Sequence, residues 1–276
     1  MSMKKFLLVL VIAALICTAG CADRAEDEAE VVAQSETDLL VESATVEIES
    51  VNLTYPAYVT APAPTGDEGG DEGEDASELA KYPGIVMIHS FNGLEPGYLD
   101  LADALASAGF VVIAPEWQTF DRAPTDEVVK ELVRSSADYL KGREDVDSEK
   151  LGLTGFCAGG RYTMLFLPSM EEFDSGVAWY GFPYSGGFNN ETKPADLIEE
   201  LDAPMLIIHG TRDAPSPISE IYQYATALDQ EEKYFELKVY QGEPHGFMIT
   251  GGELSESFPA QDALVEMARF FERTLK

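Results

Sequence analysis

Positive charge is what this chain has least of. Among its 276 residues only 18 are Lys or Arg, against 50 Asp or Glu, which leaves a formal charge of −32. Such a surface repels nucleic-acid phosphates and anionic lipid, since affinity for either comes from Lys and Arg neutralising phosphate. Nucleic acid is thereby excluded as a partner. Histidine is rarer still, at three residues, so any base or metal ligand of that type is His89, His209 or His245. Cysteine also numbers three, and Cys17 and Cys21 lie in an N-terminal segment that does not read as part of the fold. Cys157 alone remains in the body of the chain, which excludes an internal disulfide there. No apolar run reaches the ~20 residues that cross a bilayer as a helix. No residue cluster demands a metal, and no motif demands a cofactor.

What is present suffices for folding. Hydrophobic residues make up 45%, the usual share for a chain that buries a core, and the length suits one large domain or two small ones. Excess acid keeps such a protein soluble and suits high salt, where mutual repulsion is screened.

At the N-terminus Lys4 and Lys5 precede the apolar run Phe6 to Cys17, and the small residues Thr18, Ala19 and Gly20 lead to Cys21. A basic start, a short greasy stretch and small residues before a cleavage point are the layout of an export signal, here residues 1–20. Thr18-Ala19-Gly20-Cys21 is similar to a bacterial lipoprotein signal, in which Cys21 is lipidated and becomes the first mature residue. Thr18 stands where that pattern prefers Leu, and a plain secretory signal is the alternative. The expected location is therefore the cell surface or periplasm, with the membrane reached only through a lipid anchor. Residues 22–40, acidic and Ala-rich over most of their length, read as a flexible tether.

The expected folded domain spans residues 41–276. Val41 to Val51 alternates as a half-exposed strand does, with Tyr55 to Ala61 as its partner. Residues of about 65–80 hold a Gly-rich acidic insertion without a basic residue until Lys81. It lacks the full ligand pattern of a calcium loop and reads as an enlarged solvated turn. Beyond it, Ile85 to Ile88 and Phe110 to Ala114 are continuous apolar runs, as are the segments beginning at Leu151, Val177 and Met205. Such runs suit strands covered on both faces, and Phe235 to Tyr240 makes one more. Helical spacing separates them at Tyr98 to Ala108, Thr125 to Lys141, Ile218 to Leu228 and Gln261 to Thr274. Strands alternating with helices predict a mostly parallel central sheet with helices on both faces, an α/β architecture. Its chemistry belongs at the carboxyl ends of the strands.

Gly155-Phe156-Cys157-Ala158-Gly159 falls at such an end. Glycine-x-nucleophile-x-glycine between strand and helix is a nucleophile elbow, here with Cys in place of Ser. The turn needs small residues on either side of a strained nucleophile and aims the first helix amides at the substrate, and a helix N-terminus favours thiolate over thiol. His89 and His209 end strands and suit structural roles on nearby backbone. His245, in Gly242-Glu243-Pro244-His245-Gly246-Phe247, follows the last strand in a loop from which an imidazole can reach a nucleophile. Asp213, in His209-Gly210-Thr211-Arg212-Asp213, follows another strand. The order nucleophile, acid, His is that of α/β-hydrolases.

With Gly160, these three stretches resemble the dienelactone hydrolase family, from about Tyr55 to the C-terminus with the acidic insertion as an interruption. The resemblance implies an α/β-hydrolase fold, Cys157 as nucleophile, His245 as base and Asp213 orienting the imidazole. It also implies an enol-lactone or other carboxylic ester as substrate. Chemistry then asks for two backbone amides around the oxyanion, those of Ala158 and of Phe91 in His89-Ser90-Phe91-Asn92-Gly93. Two departures matter. Ser90 stands where well-known members carry an activating Glu, and Ile249 where they carry an Arg for a substrate carboxylate. A neutral ester is expected in place of a dicarboxylate-type one. Ser90, Trp117, Arg161 and Tyr180 are candidate substrate contacts, with Arg122, Phe120, Phe182 and Tyr184 as further residues near the same edge. A non-catalytic binding protein on the same fold, or an acyltransferase using the same residues, are the rival readings; the oligomeric state is not legible.

Overall fold

The computed structural model describes residues 39–64, 81–187 and 192–276. The signal-like segment, nearly all of the tether and the acidic insertion lie outside the described residues. Leu39 is already tied to the fold, its N–H donating to Ser107 O at 3.0 Å.

One eight-stranded sheet runs in the order β1-β2-β4-β3-β5-β6-β7-β8. The antiparallel edge is β1 (Val41–Ser50) against β2 (Leu53–Pro62), and β2 also meets β4 (Val111–Pro115) antiparallel. From β4 onward every neighbour is parallel, through β3 (Tyr82–Ile88), β5 (Val146–Phe156), β6 (Ser175–Trp179), β7 (Met205–Gly210) and β8 (Phe235–Tyr240). The expected α/β-hydrolase architecture is the observed one. The reason is visible in burial, since β4, β6 and β7 are buried at every residue, which only helices on both faces can achieve.

Two apolar layers flank the sheet. Helix α1 (Pro96–Ser107) and α5 (Phe258–Leu275) cover one face through Leu101, Leu105, Met267 and Phe271. On the other lie α2 (Asp126–Lys141), α3 (Ala158–Phe166) and α4 (Ile218–Gln230), with Leu132, Leu140, Met164, Ile221 and Leu228 inward. Ser257 caps α5 by accepting from Ala260 N–H, a routine start for a helix whose first turn carries Pro259.

Two features differ from the expectation. β5 begins at Val146, not Leu151, because Asp147 to Lys150 are polar and partly exposed; the register against β3 shifts between Pro83 and Gly84 to absorb them. A small hairpin, β9 (Ile249–Thr250) and β10 (Glu253–Leu254), turns through Gly251 and Gly252 at φ 65° and 90°. Two-residue strands leave no periodic signal, so only the glycine pair marked this turn.

Candidate active site

Cys157 sits between the end of β5 and the start of α3 with φ 58° and ψ −111°, a conformation that costs a non-glycine residue about 1–3 kcal/mol. Its N–H donates to Trp179 O at 3.1 Å, and its carbonyl accepts from Arg161 N–H at 3.0 Å. The surrounding glycines make room for this bend. A Cβ on Gly155 would stand 2.2 Å from Gly159 O, one on Gly159 2.0 Å from Ile88 O, and one on Gly160 2.2 Å from Trp179 O. All three contacts are with backbone, which cannot move aside. Any side chain here would push α3 off the sheet.

Asp213, in the turn after β7, is buried at 4% exposure. Its Oδ1 accepts from Ser216 N–H at 2.8 Å, and its Oδ2 accepts from His245 Nδ1 at 2.7 Å. With Nδ1 so engaged, His245 turns its Nε2 inward, where that atom is buried and lacks a regularly placed hydrogen-bond partner among the described residues. Burial pushes the imidazole pKa down. The hydrogen bond that His245 donates to Asp213 and the nearby Cys157 more than reverse this and raise it to about 9. The thiol and the ring therefore act on each other, and a charged imidazole is the favoured state near neutrality.

The other two histidines are structural. His209 Nε2 lies 2.8 Å from Ser216 O and 3.4 Å from Asp213 Oδ2, and burial lowers its pKa. A neutral His209 therefore donates to the Ser216 carbonyl behind the Asp213 carboxylate. His89 bonds Ser90 O through Nδ1 at 2.8 Å and stacks on Trp117; burial pulls its pKa down to about 4.

Cys157, Ala158, Phe91 and His245 border a common cavity of about 470 Å³. Ala158 opens α3, where a backbone N–H has no acceptor within its own helix, so its amide is placed to bond an oxygen near the sulfur. Ser90, Trp117, Arg161 and Tyr180 line the same cavity. Their parts are not alike. Ser90 Oγ accepts from Asn92 N–H at 3.1 Å and Trp117 Nε1 donates to His89 O at 3.2 Å, so both are held as walls. Tyr180 packs edge-on to His245 with 5.1 Å between ring centroids, at a backbone φ of 36°.

Arg161 requires a correction. It lines the cavity but is not an available substrate cation, being 4% exposed and bonded at 2.9 Å by both terminal nitrogens to the two oxygens of Asp126. Its Nε donates to Ser185 O and Nη2 also to Thr192 O. Its charge is cancelled where it stands, and it ties α3 to α2. Arg122 is exposed and lies over the Phe91 ring at 4.8 Å. Phe182 lines the cavity, whereas Phe120 packs on Tyr55 and Tyr184 on Tyr224, away from it.

Sequence reasoning passed over Glu95 and Tyr98, which also border the cavity. An acid just before Pro96 at a helix start reads as a cap, and Tyr98 reads as the first core residue of α1. Neither position carries a signal of a site. Among the described residues no group of His, Cys, Asp and Glu is arranged to hold a metal.

A protein of Methylorubrum extorquens assigned by name to the carboxymethylenebutenolidases is 27% identical over 247 residues, covering 83% of this chain and 80% of that one. One of the same name from Escherichia coli K12 is 25% identical over 271 residues, 92% and 95% of the two chains. A Klebsiella pneumoniae crystal structure assigned as a dienelactone hydrolase shares the fold with a TM-score of 0.72 at 24% identity, covering 85% of this chain and 99% of that one. The family model for dienelactone hydrolases matches residues 73–275, and the chain belongs to the dienelactone hydrolase family, as a hydrolase of carboxylic esters.

Proposed function

We propose that Cys157 is the nucleophile of an exported enzyme that cleaves a carboxylic ester or lactone carrying no further carboxylate, through a thioester. The observation that carries this reading is the 2.7 Å bond from His245 to buried Asp213, which leaves Nε2 facing the cavity it shares with the strained Cys157. The Cys157 thiolate adds to the substrate carbonyl while the amides of Ala158 and Phe91 bond the oxyanion. As the carbon–oxygen bond breaks, the departing alkoxide takes the proton of His245. Acylation removes the sulfur's negative charge and with it one of the influences that raise the imidazole pKa, which favours the neutral ring that deacylation needs. It then takes a proton from water, whose hydroxide attacks the thioester and returns the thiolate. Asp213 holds the ring in one orientation throughout. Cys157 is partly buried and borders an open cavity from which water can reach the thioester.

The cavity speaks against an anionic ester. Ile249 is apolar and Arg161 is already paired, so neither would hold the carboxylate that the relatives' name implies. Export and attachment through Cys21 rest on the Lys4-to-Cys21 pattern. Hydrolysis of a panel of p-nitrophenyl esters should fall at least about 100-fold in Cys157→Ala and His245→Ala; activity persisting in both would remove this mechanism. Labelled palmitate should appear in the full chain and be absent from Cys21→Ser.

A further inference from the structure

Fifty acids make it unsurprising that one borders a cavity. Glu95 is singled out by what its carboxylate does not do. It occupies the cap position of α1 yet makes no capping hydrogen bond, and no ion pair or hydrogen bond to its side chain occurs among the described residues. The side chain is half-buried and faces the cavity beneath the β9–β10 turn, where a Cβ on Gly252 would lie 3.7 Å from Oε1. Its charge reaches inward. Burial first, then neighbouring charges that include Glu95, raise the pKa values of the Tyr98 and Tyr180 hydroxyls.

Arg161 is matched by Asp126 and the His245 imidazolium by Asp213, so the cavity's remaining anions are Glu95 and, when it attacks, the Cys157 thiolate. Aromatic rings from Tyr98, Trp117, Tyr162, Tyr180 and Phe182 supply walls whose faces are partly negative. A pocket with one uncompensated carboxylate and aromatic sides repels an anion and attracts a soft cation. The overall charge of −32 adds a field of the same sign.

We propose that this cavity selects esters bearing an ammonium group, and that Glu95 is the residue that discriminates them from neutral and anionic esters. The proposal rests on the hydrolase reading above and narrows its substrate class. Glu95 and the rings would hold the cationic end while the carbonyl lies against Cys157, so the discrimination would appear in the chemical step as well as in binding.

An isosteric pair reads this directly. Choline esters and 3,3-dimethylbutyl esters of the same acid differ only by a charged nitrogen in place of carbon. The ratio of their kcat/KM values is internal to each protein, so a general loss of activity cancels. Wild type should favour the choline ester by about 10-fold. E95Q should lower the ratio several-fold, the rings and the overall field keeping part of the preference, and E95K should lower it further. Since E95Q removes one acid among 50, the overall field is left almost intact and the change reports the local carboxylate. A wild-type ratio of one or less, or the same ratio in E95Q, would overturn the proposal. Absence of turnover with either ester would instead be a failure of the hydrolase reading. In that event protection of Cys157 from iodoacetamide by choline, compared with 3,3-dimethylbutanol, measures the same preference, and equal protection by the two overturns it.

Discussion

The proton on His245 answers to two neighbours of different permanence. Asp213 is buried and bonded to the ring, whereas in the proposed mechanism the Cys157 sulfur changes its charge on acylation. The imidazole pKa, lowered by burial but raised overall to about 9 by these two groups, therefore describes the free enzyme. kcat/KM reports free-enzyme ionisations, so its alkaline limb should fall near pH 9 for esters whose alkoxide must be protonated on leaving. For p-nitrophenyl esters the leaving group needs no proton and the limb should be shallow. The same plateau past pH 10 for alkyl esters would show that no imidazolium takes part. Stability follows the same sign. A histidine whose folded pKa lies above its unfolded 6.5 contributes fully below pH 6.5 and loses that contribution as pH rises through about 9. Wild type should thus lose more stability across that window than His245→Asn.

The strand-to-helix corner from β5 into α3 sets the geometry at the next scale. Its glycines are required by backbone, not by side chains, so no repacking relieves a substitution. Gly159→Ala places a methyl group 2.0 Å from Ile88 O. The corner must open, displacing both the Ala158 amide and the sulfur. Loss of an oxyanion donor alone costs about 100- to 1,000-fold in rate, and strain at a special backbone position costs on the order of 1–3 kcal/mol of stability. Both losses should appear together in esterase assays and urea unfolding. A Gly159→Ala protein with wild-type kcat would mean that the corner tolerates movement. This element was legible in advance because its signature is local, since five consecutive residues at a strand end specify the bend. The Arg161–Asp126 pair was not. It joins residues 35 apart in sequence, and nothing local distinguishes an arginine destined for a buried partner from one facing solvent.

Across the whole molecule, the layered fold was readable because strands covered on both faces are continuously apolar, as at Ile85 to Ile88, while helices show a one-sided period. The order of the parallel strands also brings Cys157, Asp213 and His245 to one edge, and that convergence was expected from their positions after strands. What escaped the sequence was the cavity's lining, because Glu95, Tyr98 and the β9–β10 turn meet there only through tertiary packing. Net charge acts at this scale too. With 50 acids and 18 bases the folded state compresses its own repulsion, and screening relieves it, the Debye length shrinking from ~10 Å at 0.1 M to ~3 Å at 1 M salt. The melting temperature should rise over that range, and a fall would mean that paired surface charges outweigh the excess.

Trapping the acyl group tests the central claim most directly. Turnover of p-nitrophenyl acetate, quenched in acid and mapped by peptide mass, should place one acetyl group on the peptide containing Cys157, with none on the Cys157→Ala protein. Acetyl found on another residue, or steady hydrolysis by Cys157→Ala, would assign the chemistry to a different nucleophile.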